Sequence, residues 1–457
     1  MIKKYRLFLF FGFLATTFLS CSSEDEYVAL PIETNPDSVI GMANSEIQIA
    51  IFDNDINIPA NGSLQLTQPN HGTVTVFDVN STPQNLTDDI ALYTPTINYI
   101  GEDSFEYTIC PSNDPSLCKT EIVTVSIISP SPVVFNLNEV PYTNLSEYNF
   151  FEGDLKNLNP VNGVLPYDLN SPLFSDYAHK KRFVWMPIGM KSSYVNDYSP
   201  LNFPVGAVLI KNFYYENVLP DNTVKILETR LIYKSETGWQ FAKYVWNAEQ
   251  TEATFTNQGS FVNISWMEGS EAKTTNYRIP SQAECFTCHN KFGTPLPIGP
   301  KPQNINKNYT YTDETANQLS KWIETGYLEN DLPATIVSTV NWEDESQPLH
   351  LRVRSYIDIN CAHCHSEESY CEYRPMRFAF NENDDDTNMG ICVTPETQVA
   401  PYTKIVVPHN ISLSLLHFRM STTQEQYRMP LLGRTIKHDE GVHLIEEWIN
   451  SLTNQCN

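Results

Sequence analysis

The sequence predicts a multidomain protein with an all-β sandwich at its N-terminus, a central β-rich domain and a mainly α C-terminal third. Three observations lead there. The chain has 457 residues, several times a typical domain of roughly 100 to 200. Pro (30), Tyr (24) and Phe (23) each outnumber Gly (18), a balance that suits sheets joined by proline-stiffened turns. Apolar residues alternate with polar ones through the first half and recur at three- and four-residue spacing in the last third. Hydrophobic residues at 41% and aromatics at 12% suffice for packed cores and exclude a disordered chain. With 29 basic against 54 acidic residues the net charge is −25, which repels phosphate backbones and argues against nucleic acid as a partner.

The N-terminal segment reads as an address. Lys3, Lys4 and Arg6 precede an apolar run, Leu7 to Leu19, that is too short to span a bilayer comfortably and fits a secretory signal. It ends at Leu19-Ser20-Cys21, which resembles a bacterial lipoprotein lipobox. The resemblance implies cleavage after residue 20 and lipidation of Cys21, hence a protein exported and held at a membrane through a lipid anchor. Residues 21–30, with Glu24-Asp25-Glu26, form an acidic tether. An outer membrane lipoprotein, periplasm-facing or at the cell surface, is the expected localisation.

Residues 31–129 read as the sandwich. Glu46 to Phe52, His71 to Val76 and Ile122 to Ile127 alternate between Asn, Asp, Gly and Pro breaks. The stretch from Tyr93 through Asn98-Tyr99-Ile100-Gly101-Glu102-Asp103 to Tyr107 resembles bacterial Ig-like or cadherin-like repeats of surface proteins. Asp53-Asn54-Asp55 is read as a solvated turn, with Ca²⁺ ligation as the alternative. Ser129-Pro130-Ser131-Pro132 is a stiff linker. Residues 135–280 form the central β-rich domain, with strands expected around Gly206–Tyr215, Glu228–Tyr233 and Trp239–Trp246. The region lacks G-x-S-x-G, H-E-x-x-H and phosphate-loop signatures. Lys180-Lys181-Arg182 is expected on a solvated strand edge, with reception of an acidic partner or a haem propionate as the alternative.

The ten cysteines carry the chemistry. Four lie in Cys285-Phe286-Thr287-Cys288-His289 and Cys361-Ala362-His363-Cys364-His365. C-x-x-C-H is the attachment signature of c-type haem: the two thiols add to the porphyrin vinyls, and the adjacent histidine is left to ligate iron. Two chance occurrences are expected only on the order of 10⁻⁵ times in this composition. A zinc ribbon would space its pairs by about 15 to 20 residues, far less than the stretch from 289 to 360. Two covalently attached haems c are therefore expected, with Cys285, Cys288, Cys361 and Cys364 as attachment points and His289 and His365 as iron ligands. Cys110 and Cys118 flank a turn and are expected to pair. Cys371 with Cys392 is the first reading for the remainder and Cys392 with Cys456 the alternative.

The first haem region spans 281–340, and the second cytochrome c-like domain spans 345–457. Pro348 starts a helix whose Leu349, Val353, Tyr356 and Ile357 share a face and deliver Cys361. Asp439 caps another, with Val442, Ile445, Trp448, Ile449 and Leu452 on one side. Met429, in a proline-stiffened loop, is the expected sixth ligand of the second haem, in preference to Met420, which reads as helix core. For the first haem the candidates are His350, Met186, Met190, Met267 or an open position. Glu314 to Gly326 is expected to be its closing helix, with Trp322 parallel to Trp448.

Residues 135–457 also resemble a family of bacterial dihaem c-type cytochromes. Ile279 to Glu284 and Asn317 to Trp322 carry the likeness around the first motif, Arg354 to Asn360 and Met429 to Thr435 around the second. The resemblance implies haem binding and electron transfer between redox partner proteins, without a substrate. An acidic surface would favour partners with a basic docking face. A peroxidase-like haem enzyme with an open first iron and a surface adhesion lipoprotein are the alternatives.

Overall fold

The computed structural model describes residues 31–83, 85–112, 114–453 and 455–456. The expected signal peptide, with Cys21 as its expected lipidation site, and the expected acidic tether lie outside them. The described chain forms two compact units that meet in sequence at Ser129 and Pro130, and the protein is multidomain and β-rich.

The first unit has seven strands: β1 (Asp37–Met42), β2 (Ile47–Ile49), β3 (Gly62–Leu66), β4 (Gly72–Asp78), β5 (Asp89–Pro95), β6 (Gly101–Pro111) and β7 (Lys119–Ile128). They build two sheets, ordered β1-β7-β6-β3 and β2-β5-β4, with β1 parallel to β7 and the other pairs antiparallel. Alternation makes the core: Phe105, Tyr107 and Ile109 of β6 are buried while Glu102, Ser104 and Glu106 face out. The buried Asp103 is satisfied by the backbone N–H groups of Asn70 and His71 and by the Tyr93 hydroxyl. Cys110 and Cys118 form a disulfide across the β6–β7 turn. In the 53–55 turn, Asp55 accepts from the Asn35 N–H at 2.8 Å and the Tyr107 hydroxyl at 2.6 Å.

The second unit begins with a small hairpin, β8 (Phe151–Glu152) and β9 (Asn159–Pro160), and is built on β10 (Leu165–Tyr167), β11 (His179–Trp185), β12 (Val208–Val218), β13 (Thr223–Ser235), β14 (Gly238–Trp246), β15 (Ala253–Phe255), β16 (Ser260–Glu268) and β17 (Glu271–Ile279). Strands β10 to β15 follow in order, and the β16–β17 hairpin joins through Val218 opposite Trp266. One face buries Phe183, Trp185, Val208, Ile210 and Tyr244 against the aromatic-rich segment around Tyr148 and Phe150. The other face receives the C-terminal segments.

That face corrects three expectations. Residues 281–340 and 345–457 are not separate bodies, because Leu319, Trp322 and Ile359 share one core with Val184 and Leu209 of the sheet. The C-terminal part is not mainly α. Its helices are short: α1 (Gln282–Cys288), α2 (Pro302–Ile305), α3 (Gln318–Glu324), α4 (Leu349–Ile357), α5 (Leu415–Ser421) and α6 (Asp439–Ser451), joined by long irregular segments. Helix α3 covers only the second half of the stretch expected as a closing helix, since Thr315–Asn317 pairs as a strand with Asn308–Thr310. Trp322 is fully buried, edge-on to Tyr167 and Phe203 of the sheet layer, so it serves that core. Third, Arg182 is not on an edge, since it pairs with Tyr167 of β10 and Lys211 of β12; Lys180 and Lys181 pair with β12 alone, and only Lys181 of the three is exposed.

A second disulfide joins Cys392 to Cys456, so the alternative pairing holds and Cys371 stays a buried free thiol. The bond ties the end of the chain to the loop after the second motif across 64 residues of sequence.

Candidate functional site

Both C-x-x-C-H motifs are placed by helices of known cause. Ser281 and Glu284 close a capping box on α1, each satisfying the other's backbone N–H, and Lys243 of β14 holds the entry by donating to the Pro280 carbonyl at 2.9 Å. Helix α4 buries Val353, Tyr356 and Ile357 as its apolar spacing requires. It runs straight into a π-turn, Asp358–Ala362, which carries Cys361. Single π-turns of this kind cluster at functional sites, because the extra residue re-aims the side chains that follow. Helix α6 starts at Asp439 itself, with His438 in the capping position.

The two motifs meet at one cavity of about 340 Å³. Thr287 and Cys288 of the first and Cys361, His363, Cys364 and His365 of the second stand in its wall. Three methionines, Met376, Met420 and Met429, and three arginines, Arg374, Arg419 and Arg434, also line it. The thiols of Cys285, Cys288, Cys361 and Cys364 are free, although the chain forms disulfides elsewhere.

His365 is buried, stacks edge-on against Phe378 with ring centres 5.3 Å apart, and its Nδ1 has no partner. Burial lowers its pKa to about 4, so the ring is neutral at pH 7 and a nitrogen lone pair is available to a metal. His289 is likewise lowered to about 4 by burial. Its Nδ1 lies 2.9 Å from the Leu296 carbonyl, the outer bond that orients a ligating imidazole and leaves Nε2 free. Its ring packs 5.4 Å from that of Phe241 on β14.

The thiols differ. The hydrogen bond from Cys364, then one from His363, hold the Cys288 thiol well below its ordinary pKa, and the Cys364 thiol is raised correspondingly. Burial pushes Cys361 up to about 12. Cys288, His363 and Cys364 offer ligand atoms all within 4.8 Å of one another. Cys285 is aimed away from the cavity, toward the Ser281 carbonyl at 3.7 Å.

Met429 is held by its backbone. Arg434 donates through Nε to the Met429 carbonyl at 2.9 Å and through Nη2 to the carbonyls of Arg419 and Thr422. Asp176, from the segment before β11, accepts from the Thr435 N–H at 2.6 Å and the Thr435 hydroxyl at 2.7 Å. Met420 is both core and wall, since it packs with Leu416 and Ile445 and also lines the cavity.

For a porphyrin the second motif has a complete donor set on one chamber: two free thiols, a neutral histidine with an orphaned buried nitrogen, and thioethers in the same lining. The first motif fits in part, with Cys288 at the chamber and Cys285 turned away. None of the four candidates for its sixth ligand lines the cavity. Met186 is in the sheet core, Met190 and His350 are exposed, and Met267 is on β16. Sequence reasoning missed Met376 and the cavity arginines, which carry no spacing signal, and assigned Cys371 to a disulfide although its free thiol lines the cavity. It passed over His363 although that residue stands inside the second motif.

Residues 29–126 match the bacterial Ig domain family, which suggests an extracellular or surface-located protein. No curated protein sequence matches the chain significantly. A 2,6-sialyltransferase of Photobacterium sp. JT-ISH-224, solved with CMP and lactose, is similar at 13% identity over 22% of this chain, with a TM-score of 0.16. The chain spans 18% of that protein's length. Protocadherin gamma B7 cadherin domains 1–4 are similar at 9% identity over 55% of this chain and 76% of theirs, with a TM-score of 0.17. At these scores neither likeness bears on fold or function. Among the described residues no helix is long and apolar enough to cross a membrane.

Proposed function

We propose that this chain is a lipid-anchored dihaem c-type cytochrome of the cell envelope that passes electrons between protein partners. The observation that carries the reading is the cavity at which both motifs meet, lined by Cys361, Cys364, His365 and Met429. Two haems c would be held by Cys285, Cys288 and His289 and by Cys361, Cys364 and His365. When bound, such a group supplies reversible one-electron chemistry at iron, and His/Met ligation raises its potential.

The chain's own residues account for the rest. Arg434 and Asp176 fix the backbone on either side of the Met429 loop. Leu296 orients His289. Burial keeps both proximal histidines neutral, so no proton competes for the ligating nitrogen at pH 7. Arg374 and Arg419 bring positive charge to the cavity wall, where the carboxylates of a porphyrin would need it. The acidic surface would steer partners with a basic docking face. Cys21 is proposed as the lipidated residue and the outer membrane as the location, with the Ig-like module as spacer or docking element.

The test is a visible spectrum and pyridine haemochrome assay on the full chain expressed with a haem c maturation system. Two haems per chain and no CO shift in the reduced protein support the carrier. CO binding to one haem moves the reading to an enzyme, and colourless protein overturns it.

One observation favours a second reading. Cys288, Cys364 and His363 within 4.8 Å form a soft donor set suited to zinc or copper. On that reading a metal ion bridges the two motifs, and elemental analysis of colourless protein finds about one zinc or copper per chain.

A further inference from the structure

The sheet face that carries the first motif holds a row of positive charge that the haem reading leaves unexplained. Arg182 of β11 stands directly opposite Lys211 of β12, Lys211 opposite Arg230 of β13, and Arg230 opposite Lys243 of β14. Lys180, two residues before Arg182, projects from the same face. Five cations thus occupy one face of four neighbouring strands in a chain of net charge −25. Like charges in directly opposed positions are destabilising. The row is also enclosed by apolar groups: Val184 and Leu209 on one side, Phe213 and Tyr277 on the other.

Its internal compensation is incomplete. Glu228, fully buried, takes Arg230 through two hydrogen bonds and the Tyr277 hydroxyl through a third. Asp168 takes one nitrogen of Arg182 at 2.7 Å. Lys243 and Lys180 reach only backbone carbonyls, those of Gln258 and Pro280 and that of Leu173. Arg182 is 6% exposed, yet its Nη2 is buried without a partner. Among the described residues no carboxylate or carbonyl accepts from Lys211, whose ammonium lies 4.8 Å from the centre of the Phe213 ring. A buried guanidinium nitrogen left unpaired is costly unless something anionic meets it, and the half-buried Lys211 sets an ammonium without a carboxylate partner beside it.

We propose that Arg182, Lys211 and Arg230, with Lys180, form an anion-binding site that takes a carboxylate-bearing ligand against the sheet beside the first C-x-x-C-H motif. Two sources of that chemistry fit. The carboxylates belong either to the propionates of a porphyrin attached at Cys285 and Cys288, an arm that rests on the haem reading, or to a free small carboxylate, an arm that does not. The site lies beside the motif: Lys243 donates to the Pro280 carbonyl at the entry to α1, and Phe241 of the same strand packs 5.4 Å from the His289 ring. The planar fork of Arg182 suits a carboxylate, and Lys211 adds a point charge.

The experiment uses the full matured chain and its Lys211→Met variant, which removes a charge from a crowded row and so is expected to fold. Both are titrated calorimetrically with succinate, and both haem midpoint potentials are measured from pH 5 to 9. If the ligand is free, succinate binds the wild type and its dissociation constant rises at least tenfold in the variant. If the ligand is a propionate, succinate does not bind, and the variant shifts the potential of one haem and flattens its pH dependence at unchanged haem content. Colourless protein that still binds succinate keeps the site and sinks the haem reading. Coloured protein with no succinate binding and unaltered potentials in the variant overturns the site and leaves the haem reading standing. Arg182→Gln, read the same way, guards against a variant whose effect is confined to folding.

Discussion

The thiol sulfurs of Cys288 and Cys364 lie within 4.8 Å of one another, although they belong to motifs separated by the whole stretch from 290 to 360. The contact makes one site of what read as two. It follows from Leu319 and Ile359 packing into the same core as the sheet, which draws the π-turn bearing the second motif onto α1.

Replacing Cys288 or Cys364 by alanine should remove one attachment bond at each motif. We expect haem content by pyridine haemochrome to fall from two toward one per chain in each variant. If a bridging metal ion is the true occupant, either variant instead loses that ion, and haem is absent from the wild type as well.

Met429→Ala should abolish the Met-to-iron charge-transfer band of the oxidised protein and lower the potential of one haem, while Met420→Leu keeps the band. Arg434→Ala, which frees the Met429 carbonyl, should weaken the band without abolishing it. Retention of the band in Met429→Ala would hand the ligand role to Met376 or Met420.

Cys392→Ser opens the loop closed by the Cys392–Cys456 bond. Closing a loop of that length constrains the unfolded chain by about 4 kcal/mol in the entropic account, with measured losses of about 2 to 5. Denaturant unfolding of the full chain should show a loss in that range for the second unit's transition. Cys371→Ser, which breaks no bond, should cost less than half as much.

Asp37 titrates at about 6, raised by burial first and then by Asp55, Asp53 and Glu121. Its folded pKa lies above the unfolded value, so the penalty is absent below about pH 4, grows as pH rises through 4 to 6, and is complete above 6. The group is half-buried, with Oδ2 unpaired, and solvent still screens its exposed side, so the effect is on the order of 1 kcal/mol. Asp37→Asn should therefore raise the thermal midpoint of the Ig-like module at pH 7 and leave it unchanged at pH 4. Equal stabilisation at both values would trace the effect to something other than this charge.

Local pattern determined a good deal here. Period-two alternation was enough to read the strands of the Ig-like module and of β12 to β14, because side chains on a half-buried strand must alternate. Three- and four-residue spacing was enough for α4 and α6. The C-x-x-C-H motifs were legible because two thiols and an imidazole within five residues are a local pattern. The cation row shows where that legibility ends. Arg182, Lys211, Arg230 and Lys243 are far apart in the chain and form a row only through strand register. The same holds for the choice of Cys456 over Cys371, for the approach of Cys288 to Cys364, and for Trp322 belonging to the sheet core. Each depends on which surfaces pack together, a cooperative outcome of burial across the whole second unit that no window of sequence contains.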